Sequence, residues 1–377
     1  MFTTRCLLSA LSLAAALLLG ACRPAAVPTA PSKTVLAALQ RGINLGIWTN
    51  DRNLDAIHAA QVQPDAADLR LIRTLGFRHV RVSLDPAWLA DADLRPYDGR
   101  LVEMQRDLAR IKAQGLFVVL SMQPSSAFKQ RLASDPRRLR DSAELWRTIA
   151  TTLKDFGPDD IAYELLNEPE VADAAAVRGI LTALAAGLRK AAPRHVLVVQ
   201  GPRYSDVEDL VRLVPLDDRN VVYSFHFYEP KNFTHQGVPY GWPMWGLLSD
   251  LPYPSSPEAV EPALAFMSFE AIEHARYYGE QRWNRDKLAT ALAPAAQWAR
   301  QHGVALWCSE FGAFRYKTKP EDRARWLSDT RELLEADGIG WTLWDYAGYF
   351  GLVSGPQSQR VLDRSAANAL QLAEPPR

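Results

Sequence analysis

The stretch Tyr163-Glu164-Leu165-Leu166-Asn167-Glu168-Pro169 has the pattern of a buried strand that ends in polar residues. Apolar positions lead up to Asn167 and Glu168, and Pro169 cannot continue the hydrogen-bond ladder of a sheet. A second apolar stretch, residues 304–310, reads Val-Ala-Leu-Trp-Cys-Ser-Glu and ends in Glu310. Both stretches therefore predict strands that present a glutamate at the C-terminal end.

Strand-like and helix-like stretches alternate outward from these two segments. The helix-like stretches carry apolar residues at helical spacing, as in Met104, Leu108 and Ile111, and one of them stops at Gly115. The eight strand-like stretches are residues 42–48, 79–84, 116–122, 161–168, 196–201, 221–228, 304–310 and 340–345.

This alternation predicts an α/β fold, a closed (β/α)8 TIM barrel. The alternative is an open doubly wound sheet, but the Gly-rich phosphate-binding turn that usually follows its first strand is missing from this sequence. In a barrel the functional groups come from the C-terminal ends of the strands. Glu168 and Glu310 are therefore expected to lie on one rim.

Residues 229–283, which follow the sixth strand, are too many for a simple connection. The segment is rich in aromatic residues placed among prolines and glycines, including Trp242 and Trp245. A disordered segment would hold few such rings. We predict an ordered cap over the barrel mouth, with a helix near residues 258–278.

Composition and charge limit the possible partners. The chain has 377 residues, of which 48% are hydrophobic, and its 43 basic side chains balance 43 acidic ones. A balanced charge gives no reason to expect nucleic acid as a partner. The histidines are scattered without a metal-binding spacing, so we expect neither a metal nor a cofactor. We also expect a monomer.

The N-terminus has the pattern of an export signal. Arg5 precedes an apolar run over residues 7–19, which is too short to span a bilayer comfortably. The run ends in Leu-Gly-Ala before Cys22, which resembles a bacterial lipoprotein signal whose cysteine is lipidated. The alternative is an ordinary signal peptide cleaved nearby. We expect a signal over residues 1–21, a Pro/Ala-rich tether over 22–36 and a barrel domain over 37–377.

This N-terminus predicts an exported protein, held through lipid on Cys22 in the bacterial cell envelope, at the periplasm or outer membrane. Cys6 would be lost with the signal, which leaves Cys308 as the one unmodified cysteine of the mature chain. No disulfide framework is then possible. Cys308 is interpreted as a small apolar residue rather than a nucleophile.

The two strand-end glutamates suggest a chemistry. Cleavage of a glycosidic bond uses two carboxyl groups, one that protonates the leaving oxygen and one that attacks the sugar or activates water. Either glutamate alone could be a solvated loop residue. Asn167 and Pro169 beside Glu168, and Trp307 and Phe311 around Glu310, favour the catalytic interpretation.

The sequence resembles glycoside hydrolase family 5, the cellulase family, along the whole mature domain. The resemblance is carried by five segments in order: residues 41–46 (Arg-Gly-Ile-Asn-Leu-Gly), 166–169 (Leu-Asn-Glu-Pro), 224–228 (Ser-Phe-His-Phe-Tyr), 309–312 (Ser-Glu-Phe-Gly) and Trp344. It implies Glu168 as the acid/base, Glu310 as the nucleophile, and Asn167 as a contact to the sugar 2-hydroxyl.

The resemblance also implies that Arg81 lies near the nucleophile, that His226 and Tyr228 face the site, and that Trp344 forms the floor under the cleaved sugar. Arg81 lies between two valines, and a buried arginine needs a carboxylate partner. It could hold Glu310 ionised or form a structural ion pair, and Glu164, deeper on its strand, is the expected structural partner.

One departure from the family lies at the end of the third strand. The family has a histidine there, whereas this chain has Gln123, which can supply hydrogen bonds but no charge. This leaves the substrate class open. Trp48, Trp242 and Trp245 could each form a sugar platform or pack within a loop.

The expected function is retaining hydrolysis of a β-linked polysaccharide or oligosaccharide, with β-glucan such as cellulose as the first candidate. Glu310 would attack the anomeric carbon while Glu168, held protonated by a raised pKa, protonates the leaving oxygen. Retention predicts carboxyl groups about 5–5.5 Å apart. The alternatives are transglycosylation at the same site and a non-catalytic, membrane-tethered glycan-binding protein.

Overall fold

The structure, a computed structural model, describes residues 27–46, residue 48 and residues 64–374. The predicted signal over residues 1–21 and the predicted lipidation site, Cys22, lie outside the described residues. Within the described part of the chain, no helix combines the length and the apolar character needed to cross a membrane.

Eight parallel strands close into a barrel in the order of the sequence. Gly42 pairs with His79 of the second strand and with Thr342 of the eighth, which closes the ring. The predicted (β/α)8 fold is confirmed. The strands are β1 (Arg41–Leu45), β2 (His79–Leu84), β3 (Phe117–Met122), β4 (Ile161–Glu164), β5 (Leu197–Gln200), β6 (Val221–Phe227), β7 (Ala305–Phe311) and β8 (Gly340–Leu343).

Helices surround the barrel, and most of them begin at a side chain that caps the first turn. Asp65 forms a capping box with Asp68, and Asp135 accepts hydrogen bonds from two backbone N–H groups. The helices are α1 (Lys33–Ala38), α2 (Ala66–Thr74), α3 (Pro86–Leu89), α4 (Asp98–Ala113), α5 (Ser126–Ser134), α6 (Pro136–Thr152), α7 (Ala174–Arg189), α8 (Val207–Leu210), α9 (Lys231–Thr234), α10 (Pro257–Leu264), α11 (Phe269–Glu280), α12 (Arg285–His302), α13 (Pro320–Ala336) and α14 (Arg364–Ala369).

The structure corrects two boundaries. Helix α1 begins inside the tether predicted over residues 22–36, because the Ser32 side chain accepts from the Val35 N–H and caps a turn there. The cap over residues 229–283 is ordered, as predicted, but the single helix expected near 258–278 is two helices, α10 and α11. The break lies at residues 265–268, where the Ser268 side chain caps the second helix.

A small two-stranded antiparallel sheet was not predicted. It joins β9 (Val353–Ser354) to β10 (Val361–Leu362), beyond the eighth strand of the barrel. Each strand is only two residues long, too short for the alternation of apolar and polar residues that marks a strand in sequence.

Candidate active site

Glu168 lies on the C-terminal rim of the barrel, just beyond β4. Its backbone has a φ of +43°, in the left-handed region that non-glycine residues seldom adopt. The backbone N–H of Glu168 donates to Oε1 of Gln200 at 2.7 Å. A neighbouring strand therefore holds the glutamate in this conformation.

Glu310 reaches the same rim because β7 is irregular. Phe225 of β6 pairs with Cys308, but the next residue, His226, pairs with Glu310, so one residue of β7 is skipped. The skipped residue, Ser309, still contacts the side chain of Gln200 inside the barrel. A β-bulge of this kind re-aims side chains, and here two consecutive residues turn into the interior.

The structure brings the two glutamates face to face. One carboxylate oxygen of Glu168, one of Glu310 and one ring nitrogen of His226 all lie within 4.8 Å of one another. His226 stands between the carboxylates, with Nδ1 at 2.9 Å from Glu168 and Nε2 at 3.4 Å from Glu310. The carboxyl groups of an inverting enzyme lie farther apart, at about 6.5–9.5 Å.

Arg81 connects the nucleophile candidate to the floor of the site. The fully buried guanidinium donates to Glu310 Oε1 at 2.7 Å and to both oxygens of Glu164 at 2.6 and 2.7 Å. It also donates to the side-chain oxygens of Asn44 and Asn167. Burial alone would lower the pKa of Arg81, but the two carboxylates raise it above its ordinary value. Arg81 therefore contacts both carboxylates considered from the sequence, Glu310 and Glu164.

Tyr228 is the second donor to Glu310. Its hydroxyl lies 2.8 Å from Glu310 Oε2, opposite the oxygen that Arg81 contacts. Burial and the Glu310 charge raise the pKa of Tyr228 well above its ordinary value, so the phenol remains a donor. The ring of His235 packs against Tyr228 with centroids 5.0 Å apart. A cap residue, His235, therefore packs against the tyrosine that donates to Glu310.

The pKa of Glu168 departs from the sequence prediction. Burial raises the pKa of this carboxyl, but the hydrogen bond and charge of His226 outweigh burial and lower it below its ordinary value. The pKa of His226 is raised despite burial, because both glutamates stabilise the imidazolium. The prediction of a raised Glu168 pKa is therefore wrong for the substrate-free site. The same contact therefore favours the charged form of each group, the Glu168 carboxylate and the His226 imidazolium.

The remaining predicted residues are placed as follows. Asn167 is buried, and its Oδ1 accepts from Arg81 at 2.6 Å. Gln123 is half-buried just past β3 and donates to Ser121 Oγ at 3.4 Å. Trp344 is half-buried beyond β8 and packs on the cluster that contains Tyr228.

Trp48 is not open to the cleft. Its side chain is 4% exposed and stacks on Trp88 with ring centroids 5.4 Å apart, so its role as a sugar platform stays a prediction. In the cap, Trp245 is half-buried against the rest of the core, whereas Trp242 is exposed. Burial raises the pKa of the Cys308 thiol, whose sulfur donates to the Glu310 carbonyl, in accord with an unreactive residue.

Sequence reasoning missed Gln200. This fully buried side chain ends β5, and its NH₂ group lies 2.7 Å from Glu164 Oε1 and 3.1 Å from His226 Nε2. The contact between Gln200 and Nε2 of His226 is a hydrogen bond only when that nitrogen carries no proton, and Nδ1 faces Glu168. A polar residue at the end of an apolar strand, the criterion that selected Glu168, would also have found Gln200.

The geometry around His226 bears on metal binding. Glu168, His226 and Glu310 are close enough to offer three ligands to one ion. However, Glu310 Oε1 already accepts from Arg81, and Nδ1 of His226 faces Glu168. These contacts satisfy the same atoms that an ion would need, which favours proton transfer over metal binding at this rim.

A cavity of about 830 Å³ lies beside the pair, between the end of β6 and the start of α12. Its lining includes His226, Tyr228, Tyr204, Glu229 and Trp283. The volume falls within the usual range of ligand pockets. The mixture of aromatic rings and carboxylates provides apolar faces and hydrogen-bond acceptors in one place.

A closed (β/α)8 barrel with two facing carboxylates at its C-terminal rim is the architecture of a glycoside hydrolase. A model of the cellulase family, glycosyl hydrolase family 5, matches residues 39–349. The chain therefore belongs to this family, and it is an O-glycosyl hydrolase.

Characterised relatives agree with this assignment. Endoglucanase 3 of Fibrobacter succinogenes is 24% identical over 350 residues, which cover 87% of this chain and 52% of that protein, so the match spans about half its length. Endoglucanase C of Acetivibrio thermocellus is 27% identical over 326 residues, which cover 82% of this chain and 92% of that protein.

A solved structure supports the fold. The cellulose synthase subunit Z of Clostridioides difficile superposes with a TM-score of 0.72 at 22% identity, covering 88% of this chain and 99% of that one. At this identity the likeness is evidence for the barrel alone.

Proposed function

We propose that this protein hydrolyses a β-linked glucan with retention of anomeric configuration, with Glu310 as the nucleophile and Glu168 as the acid/base. The observation that carries the proposal is the facing pair of carboxylates, whose oxygens approach within 4.8 Å with His226 between them. This spacing is shorter than the about 6.5–9.5 Å of inverting enzymes and favours direct attack by one carboxylate.

In the first step an oxygen of Glu310 bonds to the anomeric carbon and the bond to the leaving oxygen breaks. The leaving oxygen takes the proton of the Glu168–His226 pair, which passes from Nδ1 of His226 through the Glu168 carboxyl 2.9 Å away. In the second step Glu168 accepts a proton from water as the water attacks the same carbon. Glu310 is then released as a carboxylate.

The proton of the pair keeps the charge of the buried cluster constant. When Glu310 becomes an ester it loses one negative charge, and His226 loses one positive charge in the same step. The Glu310 charge raises the pKa of His226, so its loss lowers the proton affinity of the imidazole. This coupling favours donation in the first step and recovery of the proton in the second.

The residues around the pair supply binding and orientation. Arg81 and Tyr228 each donate to a different oxygen of Glu310, which fixes the plane of the attacking carboxylate. We assign the NH₂ group of Asn167 to a sugar hydroxyl beside Glu310, and the ring of Trp344 to the floor of the site. These assignments rest on contacts and on position along the rim.

The substrate proposed first is β-1,4-glucan. Support comes from the relatives named endoglucanase and from the neutral, aromatic-rich composition, which suits an uncharged polymer. Gln123 at the position of the family histidine makes β-mannan and other β-glucans the alternatives to be screened. A panel of soluble polysaccharides with reducing-end detection ranks these substrates.

Glu310→Gln tests the mechanism. Turnover is expected to fall by about 10⁴-fold or more, since the covalent step is lost, while binding of a cello-oligosaccharide persists. Glu208→Gln is the matched control, because this exposed glutamate lines the adjacent cavity outside the carboxylate pair. Normal turnover in Glu310→Gln would reject the assignment.

Product analysis separates the possible outcomes of catalysis. Proton NMR of the first product should show the β-anomer, whereas an α-anomer would mean inversion and refute the mechanism. Longer oligosaccharides formed at high substrate concentration would identify transglycosylation, in which a sugar replaces water as the acceptor.

The cellular placement is a further part of the proposal. The signal-like residues 1–21 and Cys22 support export and a lipid anchor in the bacterial envelope, with residues 37–377 as the catalytic domain. Cys22→Ala should shift the protein from the membrane fraction to the soluble fraction. Because one chain supplies the whole carboxylate cluster, a monomer is sufficient, and sedimentation of the soluble domain tests this.

A further inference from the structure

Exposed aromatic side chains are concentrated in the cap. Among the described residues, five of the eight exposed aromatic side chains lie within residues 240–277. Phe266 and Phe269 are the most exposed, at 85% and 80%, and both lie at the turn between α10 and α11. Rings this exposed on a folded domain mark an interaction surface more often than chance.

Four of these residues form what is here called the cap aromatic surface: Trp242, Phe266, Phe269 and Tyr277. Phe269 and Tyr277 lie eight residues apart on α11, about 12 Å along the helix axis. Trp242 packs edge-on against His274 of the same helix, with ring centroids 4.9 Å apart. The surface therefore extends along one helix and onto the loop beside it.

This surface is continuous with the active site through packed rings. Trp242 contacts Trp245 at 6.1 Å, Trp245 contacts His235 at 4.5 Å, and His235 contacts Tyr228 at 5.0 Å. Tyr228 in turn donates to Glu310. One run of packed rings therefore links the cap aromatic surface to the nucleophile candidate.

Charge decides which partner fits. Residues 257–280 contain five glutamates and one arginine. An acidic hairpin is repelled by anionic lipid headgroups, which attract basic segments, and two copies of it would repel each other. A neutral glucan meets no such repulsion, and the glutamates can accept hydrogen bonds from its hydroxyl groups.

We propose that the cap aromatic surface is a second glucan-binding site, which holds an insoluble β-glucan chain outside the catalytic cleft. The inference rests on the proposed β-glucan substrate. Sugar rings present flat C–H faces that pack on aromatic side chains, while the hydroxyl edge remains for polar partners. The surface raises the local concentration of polymer at the cleft, as a second binding module would.

The test compares Phe266→Ser/Phe269→Ser with the wild-type protein. Partition onto insoluble cellulose in the cold is expected to fall about tenfold, a change of ~1.4 kcal/mol in binding. The rate on insoluble cellulose falls with it, while kcat/KM on soluble cellotetraose is unchanged. Val102→Ser/Val214→Ser is the matched control, because these valines are 64% and 63% exposed elsewhere on the barrel.

Unchanged partition in the phenylalanine variant, or equal loss in the valine control, would overturn the proposal. Two further measurements identify other occupants. If wild-type protein sediments with vesicles of phosphatidylethanolamine and phosphatidylglycerol and the phenylalanine variant does not, the surface is a membrane contact. If wild-type protein is a dimer and the variant a monomer, it is an interface between copies.

Failure of this inference is distinguishable from failure of the proposed function. Lack of turnover of every cello-oligosaccharide by wild-type protein would refute the proposed function. Partition onto cellulose requires no turnover, so the comparison of variants still decides whether the surface binds glucan.

Discussion

Gln200→Met tests whether one buried amide sets the state of the Glu168–His226 pair. Methionine keeps the length and approximate volume of glutamine but removes the acceptor for the Glu168 N–H and the donor to His226 Nε2. Leaving a buried polar group unpaired costs about 1–3 kcal/mol, so the two groups together predict a loss of roughly 2–6 kcal/mol in the free energy of unfolding. Urea denaturation measures this loss.

Activity should fall for a separate reason. Without the Gln200 amide, the neutral His226 ring can carry its proton on Nε2, away from Glu168, and the Glu168 backbone N–H loses its acceptor on β5. A positioned general acid contributes about 10²–10⁴-fold in rate. Because the variant should lose a part of this contribution, kcat/KM on a soluble cello-oligosaccharide should fall by roughly 10–1,000-fold. The pH dependence of kcat/KM should shift as well.

Gln236→Met is the matched control. Gln236 is also fully buried, and it pairs with the backbone of Phe233 and Leu251 in the cap, away from the carboxylates. Gln236→Met should lose a comparable free energy of unfolding. The acidic and alkaline limbs of its pH profile of kcat/KM should keep their wild-type positions. Wild-type kcat/KM and pH limbs in folded Gln200→Met would refute the reasoning.

Three further outcomes are expected. Lys129 is buried 2.7 Å from Glu170, and its charge lowers the pKa of Glu168. Lys129→Met removes this charge and should move the alkaline limb of the kcat/KM profile to higher pH. Lys129→Arg keeps the charge and should leave the limb in place. Tyr228→Phe should lower kcat by about 10–100-fold, since a hydrogen bond to a charged group is worth ~1.5–3 kcal/mol, and full activity would contradict the contact to the nucleophile. Burial lowers the pKa of His235 to about 3, so the unfolded chain, with a pKa of ~6.5, binds more protons between these values. Stability from this group is complete above pH ~6.5 and lost as pH falls toward 3; His235→Phe should flatten that slope in urea denaturation, and an unchanged slope would count against it.

The barrel was predictable because its signal is repeated. Strands buried on both faces are almost continuously apolar, and helices between them show one apolar stripe, so eight repeats reinforce one interpretation. Helix α12 carries a signal at each end, because Asn284 caps its start and Gly303, with a φ of +62°, ends it. Helix α5 was missed, since its nine residues bury few side chains and carry no strong apolar stripe.

The site was predictable only where a side chain sits on a strand end. Glu168 and Glu310 could be found in this way, whereas the role of Gln200 depends on six different partners brought together by the fold. The pKa of Glu168 was mispredicted for a related reason. Burial is visible in a sequence pattern, but the placement of His226 within 2.9 Å of the carboxylate is not.

The irregularity of β7 limits how this protein can be altered. In a regular strand, neighbours face opposite sides, so Ser309 and Glu310 could not both enter the interior. If β7 paired regularly with β6, Ser309 would lie opposite His226 and Glu310 opposite Phe227, which faces the outer helices. The glutamate would then leave the site although its side chain was kept. The irregular register of β7 is thus as necessary for turnover as the carboxylate itself.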